Sequence, residues 1–355
     1  MGRRCSLPLG ACLVGSLFLL PVPRATSAGA PVDRLDRFRE LAQTRLTASD
    51  LVAGDPARGL YEEIYTLLDD EIVESLQSGG VFASEGFLQD RLDAFNQAWG
   101  GAALHVMKTG PVVVAAIRLA DATEGNSVRV YGGRRGEAAL LATIHREGNP
   151  ILYPMPPARG EVPQFVVVWE AARSGRGTTP VRIDLVRRDR DSVRTVWSTV
   201  DVFGADVQAW SYVIRGPEVT LRYEVQYPGW VPGCDGQTEQ EDLFRYVAAC
   251  QTFALVRRQV EHGWHRDFRA LVDRFFAALH AANQRTLEDL VPDGRLRALV
   301  PRELELEPAC DALEGDPPTM ISVAAALGAE RHPWALTFRR AGAAWRLVAA
   351  APLIR

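Results

Sequence analysis

The stretch VQAWSYVIRGPEVTLRYEVQ, residues 207–226, decides the fold class, because apolar and polar side chains alternate on both sides of Gly216-Pro217. Alternation with a period of two is typical of half-buried strands, and Gly and Pro between two such runs mark a turn. We therefore predict two antiparallel strands, 207–214 and 219–226, joined by a short connection.

The same pattern extends towards the amino terminus. Further strands are predicted at 105–107, 112–119, 127–131, 138–144, 164–169, 181–186 and 193–199. No helical pattern interrupts them, which favours an antiparallel sandwich or barrel-like domain over residues 102–262. Part of a propeller is the alternative, and the lack of a clean internal repeat counts against it.

Residues 29–101 are predicted to be helical. After a short amphipathic segment at 32–46, Leu60, Ile64, Leu68 and Ile72 recur at helical spacing, with Asp55 and Pro56 suited to the first turn. A second helix follows from Ser84 and ends at Gly100-Gly101. Together they predict a helical pair in front of the β domain.

Residues 1–28 have the layout of a secretory signal peptide. Arg3 and Arg4 precede the apolar run 13–20, and Thr26-Ser27-Ala28 offers small residues for cleavage. The run is too short to span a bilayer, and no later stretch reaches 18 uninterrupted apolar residues. We therefore expect an extracytoplasmic protein, periplasmic or secreted, without a membrane span after cleavage.

Charge argues against nucleic acid as a partner. The 40 basic residues are balanced by 44 acidic ones, and the formal charge is −4. Cleavage after Ala28 removes three arginines and no acidic residue, so the charge falls to −7. A mildly acidic chain lacks the basic footprint that nucleic acid or anionic lipid requires.

Export would leave three cysteines in an oxidising compartment, enough for one disulfide. We predict the pair Cys234 and Cys250, whose loop of about 15 residues is worth on the order of 3 kcal/mol in the chain-entropy model. Pairing of either residue with Cys310 stays open, because sequence alone does not fix connectivity.

The most unusual segment of the sequence is YPGWVPGCDGQTEQED, residues 227–242. Its Pro-Gly and Asp-Gly pairs favour tight turns, and Tyr227 and Trp230 are its large aromatic residues. An ordered loop with an exposed Trp is a candidate ligand or partner contact, although a purely structural connection is the alternative. Beyond it we predict a hairpin turning at 248–251, with a helix from residue 239 as the competing interpretation.

The carboxy-terminal residues 263–355 combine a long amphipathic helix, a short helix and four strands. The segments FRALVDRFFAALHAANQRTLEDLV (268–291) and WALTFRRAGAAWRLVAAAPLI (334–354) resemble the ketosteroid-isomerase-like or nuclear-transport-factor-like (SnoaL-like) superfamily. That resemblance implies a small α+β cone, in which a curved sheet wraps the helix, used for catalysis, for ligand binding or for docking.

Isomerase chemistry does not carry over, because it needs a carboxylate base with a Tyr or a protonated acid, and the two last strands contain none of these. A ligand inside the cone would have Thr337, Arg339 and Arg346 as polar contacts. Alternation along the strand, however, places Thr337 and Arg339 on the opposite face of the sheet from Trp334 and Phe338.

No catalytic motif is found. The chain lacks a phosphate-binding loop, a dinucleotide fingerprint, a nucleophile elbow and paired metal-ligand spacings. His262, His265 and Asp267 are too close along one helix to converge on a metal ion. We therefore predict an α+β protein without catalytic residues, cofactor or metal, acting as an exported binding or protein-interaction module. The alternative is an enzyme or carrier for a small apolar molecule in the carboxy-terminal cone.

Overall fold

The computed structural model describes residues 33–43, 55–120, 123–175, 177–190, 192–315, 317–342 and 344–353. The predicted signal peptide, 1–28, lies outside these residues. The fold is α+β with antiparallel strand pairing, as the sequence predicts. Among the described residues, no helix combines the length and the apolar character needed to cross a membrane.

The helices are α1 (Arg34–Gln43), α2 (Asp55–Ser78), α3 (Glu85–Trp99), α4 (Thr199–Phe203), α5 (Gly263–His280), α6 (Gln284–Leu290) and α7 (Gly294–Leu299). The first sheet contains β1 (Ala103–Thr109), β2 (Val112–Arg118), β3 (Asn126–Arg134) and β4 (Glu137–His145) in sequence order.

The second sheet has the order β12-β11-β10-β9-β7-β6-β5, with β8 also paired to β7. Its strands are β5 (Asn149–Pro154), β6 (Gln164–Glu170), β7 (Thr179–Asp189), β8 (Ser192–Ser198), β9 (Val207–Arg215), β10 (Glu218–Glu224), β11 (Glu239–Val247) and β12 (Thr252–Glu261).

The third sheet contains β13 (Leu304–Leu306), β14 (Ala312–Glu314), β15 (Met320–Leu327), β16 (His332–Ala341) and β17 (Ala344–Pro352). Elements α4, α7, β5 and β14 were not predicted, and each is short enough to leave little periodic signal in the sequence.

Helices α1 to α3 pack on one face of the first sheet, and the second sheet packs on the other. Val113 and Ile117 of β2 face the helices, whereas Val112 and Val114 face Phe165 and Val167 of β6. Both strands are therefore buried on two faces, which explains their continuous apolar runs. The helices and the first sheet share one hydrophobic core.

The second sheet curls back on itself around its own core. Trp197 of β8 contacts Phe244 of β11 and Phe253 of β12, at ring-centroid distances of 5.4 and 4.9 Å. The predicted hairpin after residue 247 is confirmed, and the competing helix from residue 239 is wrong. Alternate residues of β11 are buried, so the period of two outweighs the capping pattern at its start.

In the carboxy-terminal segment, α5 lies against the third sheet and its apolar face fills the interior. Phe268 contacts Phe338 and Trp345 at centroid distances of 5.5 and 5.1 Å, and Phe275 contacts Phe338 at 5.8 Å. All four rings are almost completely buried. Large aromatic side chains from the helix and from the sheet therefore occupy the space between them.

The predicted disulfide between Cys234 and Cys250 is wrong, because Cys234 pairs with Cys310 at a Cα–Cα distance of 5.2 Å. Strand β11 separates the predicted partners: Cys234 precedes its first residue, and Cys250 follows its last in an exposed turn. Nine extended residues span roughly 27 Å, far beyond the ~7 Å that a disulfide allows between Cα atoms. Proximity along the chain was therefore a poor guide.

Candidate functional site

A cavity of about 360 Å³ opens where β9 and β10 meet the loop 225–238. This lies within the usual size range of ligand pockets. Its described lining consists of Gly175, Trp210, Glu224, Trp230, Gly233, Cys234, Asp235, Gly236, Gln237, Thr238 and Glu239. Two indole rings and three carboxylates therefore surround one space.

Strand and loop each contribute one tryptophan. Trp210 lies on β9, where the side chain is 37% exposed. Trp230 is the last residue of a tight turn in which its N–H donates to the Tyr227 carbonyl at 2.9 Å. Pro228 and Gly229 occupy the turn's central positions, and Gly229 has φ +78°, a conformation that glycine adopts without strain.

Gln237 closes the rest of the loop from inside. Its Oε1 accepts from the Val231 N–H at 2.9 Å, and its Nε2 donates to the carbonyls of Val231 and Cys234 at 2.6 and 3.1 Å. The side chain is buried. One amide therefore satisfies three backbone groups and fixes the loop's shape.

A buried polar network ties the loop to the carboxy-terminal segment. The Tyr227 hydroxyl lies 2.5 Å from His265 Nδ1, and His265 Nε2 lies 3.0 Å from Asp311 Oδ2. Arg269 Nη1 donates to Asp311 Oδ1 at 2.8 Å. Asp311 directly follows Cys310 in the chain, so the disulfide and the network attach the loop to the same point of the carboxy-terminal segment.

The network is suited to holding the loop, not to reacting. The Tyr227 oxygen accepts from the Thr238 N–H at 3.2 Å and also lies within hydrogen-bond distance of His265 Nδ1, and His265 Nε2 faces the Asp311 carboxylate. Burial raises the pKa of Tyr227, which disfavours the phenolate. His265 is only 3% exposed. A reacting molecule has no access to this imidazole.

The structure brings Tyr227 and Trp230 together, as expected from one loop. Thr337, Arg339 and Arg346 lie elsewhere, on the third sheet's outer face, since Phe338 and Trp345 face the core. Arg339 and Arg346 are direct partners on the neighbouring strands β16 and β17, and both are exposed. The Thr337 hydroxyl forms a hydrogen bond with a neighbouring serine hydroxyl. These three residues do not line the interior that the cone hypothesis requires.

The metal candidates do not converge. His265 is bound to Asp311 and Tyr227, whereas the Asp267 side chain is 77% exposed. No metal-ligand group of three or more residues occurs in the described part of the chain.

Sequence reasoning missed Trp210, Glu224 and the His265 network. The alternation of the strand does contain a signal for Trp210, because this residue follows the buried Ala209 and faces away from the core. Glu224 meets Glu239 only through the register of β10 and β11, which pairs them directly. Asp311 reaches His265 across 46 residues, a distance that no local pattern encodes.

No protein-family model matches the chain, and no curated protein matches it.

Proposed function

We propose that this chain is an exported, non-catalytic binding protein that holds a small molecule in the cavity between Trp210 and Trp230. The observation that carries the proposal is the lining itself: two indole rings and three carboxylates around about 360 Å³, on a loop fixed by a disulfide and by Gln237. Concave sites with aromatic walls and a few polar groups are the usual form of ligand pockets.

Binding is favoured over catalysis because the groups that resemble catalytic partners are already engaged. A nucleophile must be free to attack, yet the Tyr227 hydroxyl takes part in two hydrogen bonds. Its histidine partner is buried beneath it. The proposed role of this network is to orient the loop for the ligand.

Export and domain layout complete the proposal. Residues 1–28 act as a signal peptide, and the cysteine pair at disulfide distance is consistent with an extracytoplasmic location. The proposed domains are a helical amino-terminal region, 29–101, a β domain, 102–262, and a cone-like domain, 263–355. The last serves as the support to which the loop is attached.

The rival function, an enzyme or carrier acting in the carboxy-terminal cone, has less support. Phe268 contacts both Phe338 and Trp345 there, and all three rings are almost completely buried. The polar residues expected to contact a ligand lie on the opposite face of the sheet.

The test is a binding screen on residues 29–355 purified from an oxidising compartment. Binding of each compound in a metabolite panel is measured by tryptophan fluorescence and by thermal shift, for the wild type, for Trp230→Ala and for Val213→Ala. Val213 is a matched control, since it is exposed on the same strand as Trp210 but does not line the cavity. A ligand that binds wild type and Val213→Ala but not Trp230→Ala supports the proposal. No ligand, or ligands indifferent to Trp230, would overturn it.

A further inference from the structure

A second cavity, of about 320 Å³, lies where α2 meets the end of β4 and the short helical turn Thr123–Gly125. Its described lining has no residue in common with that of the cavity between the two tryptophans. It consists of Tyr61, Glu62, Tyr65, Thr123, Glu124 and His145. Three rings and two carboxylates therefore surround a space that the proposed function does not use.

The three rings form an aromatic wall. Tyr61 and Tyr65 lie one turn apart on α2 with ring centroids 6.5 Å apart, and the His145 ring meets Tyr65 edge-on at 5.3 Å. Both tyrosines are 5% exposed and belong to the core shared by the helices and the first sheet, so their positions are fixed by packing. Such a wall suits an aromatic ligand body, because aromatic rings favour edge-to-face and offset contacts.

Two of the hydrogen-bond donors beside this wall are used within the chain. The Tyr65 hydroxyl donates to the Glu124 carbonyl at 2.9 Å. His145 Nδ1 lies 3.1 Å from the Asn126 carbonyl, and because a carbonyl only accepts, this nitrogen carries the proton. Burial lowers the pKa of His145, so the ring is uncharged at neutral pH. Nε2 of His145 then has a lone pair and can only accept a hydrogen bond.

The other groups offered to a ligand are also acceptors or hydroxyls. The Glu62 and Glu124 carboxylates have no ion-pair or hydrogen-bond partner among the described residues. Burial, and after it the charge of Glu124, raises the pKa of Tyr61, so its hydroxyl stays protonated. That hydroxyl has no partner in the described part of the chain, although the residue is 95% buried. A buried hydroxyl without a partner at a cavity wall is a ready contact for a ligand.

A guanidinium close to this wall does not neutralise the two carboxylates. Arg129 lies over the Tyr65 ring, with Cζ 4.8 Å from the ring centroid, but it is bound to both carboxylate oxygens of Asp69. The Tyr131 hydroxyl donates to the same carboxylate at 2.6 Å. The charges of Arg129 and Asp69 therefore offset each other, and the described lining of the cavity keeps two carboxylates and no charged basic side chain.

The aromatic wall and the acceptors select the same kind of molecule. An ammonium group can donate to the Glu124 carboxylate and to Nε2 of His145, and hydrogen bonds that involve a charged partner are the strong ones. An anion would be repelled by both carboxylates. We propose that this cavity binds a small arylalkylamine as its ammonium form, with the aromatic ring against Tyr61 and Tyr65 and the nitrogen towards Glu124. This site is independent of the cavity between the tryptophans.

The test compares 2-phenylethylamine with 2-phenylethanol, which has the same carbon skeleton but no charge. Isothermal titration calorimetry on residues 29–355 at neutral pH and low salt is expected to show saturable binding of the amine. Its Kd should be at least about tenfold lower than that of the alcohol, the gain usual for hydrogen bonds to a charged group. The anion 3-phenylpropionate should not bind, because the carboxylates of the lining repel it.

Variants locate the effect. Glu124→Gln removes a charge at constant size and should raise the Kd of the amine by about tenfold. Tyr61→Phe removes only the hydroxyl and should raise it by about three- to tenfold. Asp70→Asn is the matched control, because Asp70 is an exposed acid on the same helix that does not line the cavity. The control should leave the Kd unchanged, and thermal melts establish that each variant is folded.

The expected result is binding of the amine that depends on Glu124 and Tyr61 and is unchanged in Trp230→Ala. The inference is overturned if the amine shows no saturable binding in the millimolar range, or if the alcohol binds as tightly. It is also overturned if Asp70→Asn weakens binding as much as Glu124→Gln, since the amine then responds to overall charge. If Trp230→Ala abolishes binding and Tyr61→Phe does not, the amine occupies the other cavity, so this inference is wrong and the proposed function is supported.

Discussion

Substitution of Gly229 by alanine tests whether the loop depends on the buried Arg269. A Cβ at position 229 would lie well inside the van der Waals distance of Arg269 Nε, and 3.0 and 3.1 Å from Nη2 and Cζ. The guanidinium is the end of a flexible side chain, so the cost depends on whether it can move. It is 1% exposed and bound to Asp311, which leaves it little freedom.

Two contributions determine the magnitude. Gly229 has φ +78°, and an alanine there costs about 1–2 kcal/mol through backbone strain alone. Displacing Arg269 disturbs a buried ion pair, and breaking such a pair costs about 3–5 kcal/mol. Because His265 still contacts Asp311, we expect only part of that second cost. The free energy of unfolding should fall by roughly 3–5 kcal/mol in total.

Gly216→Ala separates the two contributions. Gly216 also has a positive φ, +54°, but a Cβ there meets nothing within 4 Å. Guanidinium unfolding followed by tryptophan fluorescence should show Gly229→Ala destabilised by about 2–3 kcal/mol more than Gly216→Ala. If the two variants agree within about 0.5 kcal/mol, the packing of Arg269 against the loop is not a stabilising feature and the reasoning is refuted.

Three further predictions concern other parts of the molecule. The Cys234–Cys310 bridge spans 76 residues, so the double variant Cys234→Ala/Cys310→Ala should lose about 4.5 kcal/mol of unfolding free energy. Cys250 is exposed and forms no disulfide, so Cys250→Ala is the control and should keep the wild-type stability. Peptide mapping that finds Cys250 in the disulfide would contradict this prediction. Burial lowers the pKa of His145, so its contribution to stability should decline as pH falls below about 6.5, and His145→Gln should flatten that decline in thermal melts. Phe338→Ala should cost about 3–5 kcal/mol in chemical denaturation, and a smaller loss would mean that the interior of the third sheet is loosely packed.

Periodicity predicted most of the fold because burial repeats at fixed intervals along each element. The alternating residues of β10 and β11 face the core, and the apolar face of α5 covers the third sheet. Continuous runs such as 112–117 were also identified as strands, although the reason, burial on both faces, became visible only in the packing of two sheets.

Contacts between distant segments were not predictable in the same way. The bond from His265 to Asp311 and the bridge from Cys234 to Cys310 both depend on where the carboxy-terminal segment meets the second sheet. Spacing along the chain favoured the nearer cysteine, Cys250, because closing a short loop costs little conformational entropy. The extended strand between the two cysteines overrides that preference, since its length is fixed by hydrogen bonding to its neighbours.

The cavity illustrates why remote residues belong to a binding site. A loop that is ordered only on binding subtracts its conformational entropy from the affinity, at about 1–2 kcal/mol for each backbone residue fixed. In this protein the loop that carries Trp230 is held beforehand by Gln237, by the Tyr227–His265 bond and by the disulfide. Substitutions at His265 or Cys310 should therefore weaken binding without touching the ligand. Their effect should appear mainly as faster dissociation, because a loosened loop releases its ligand more readily.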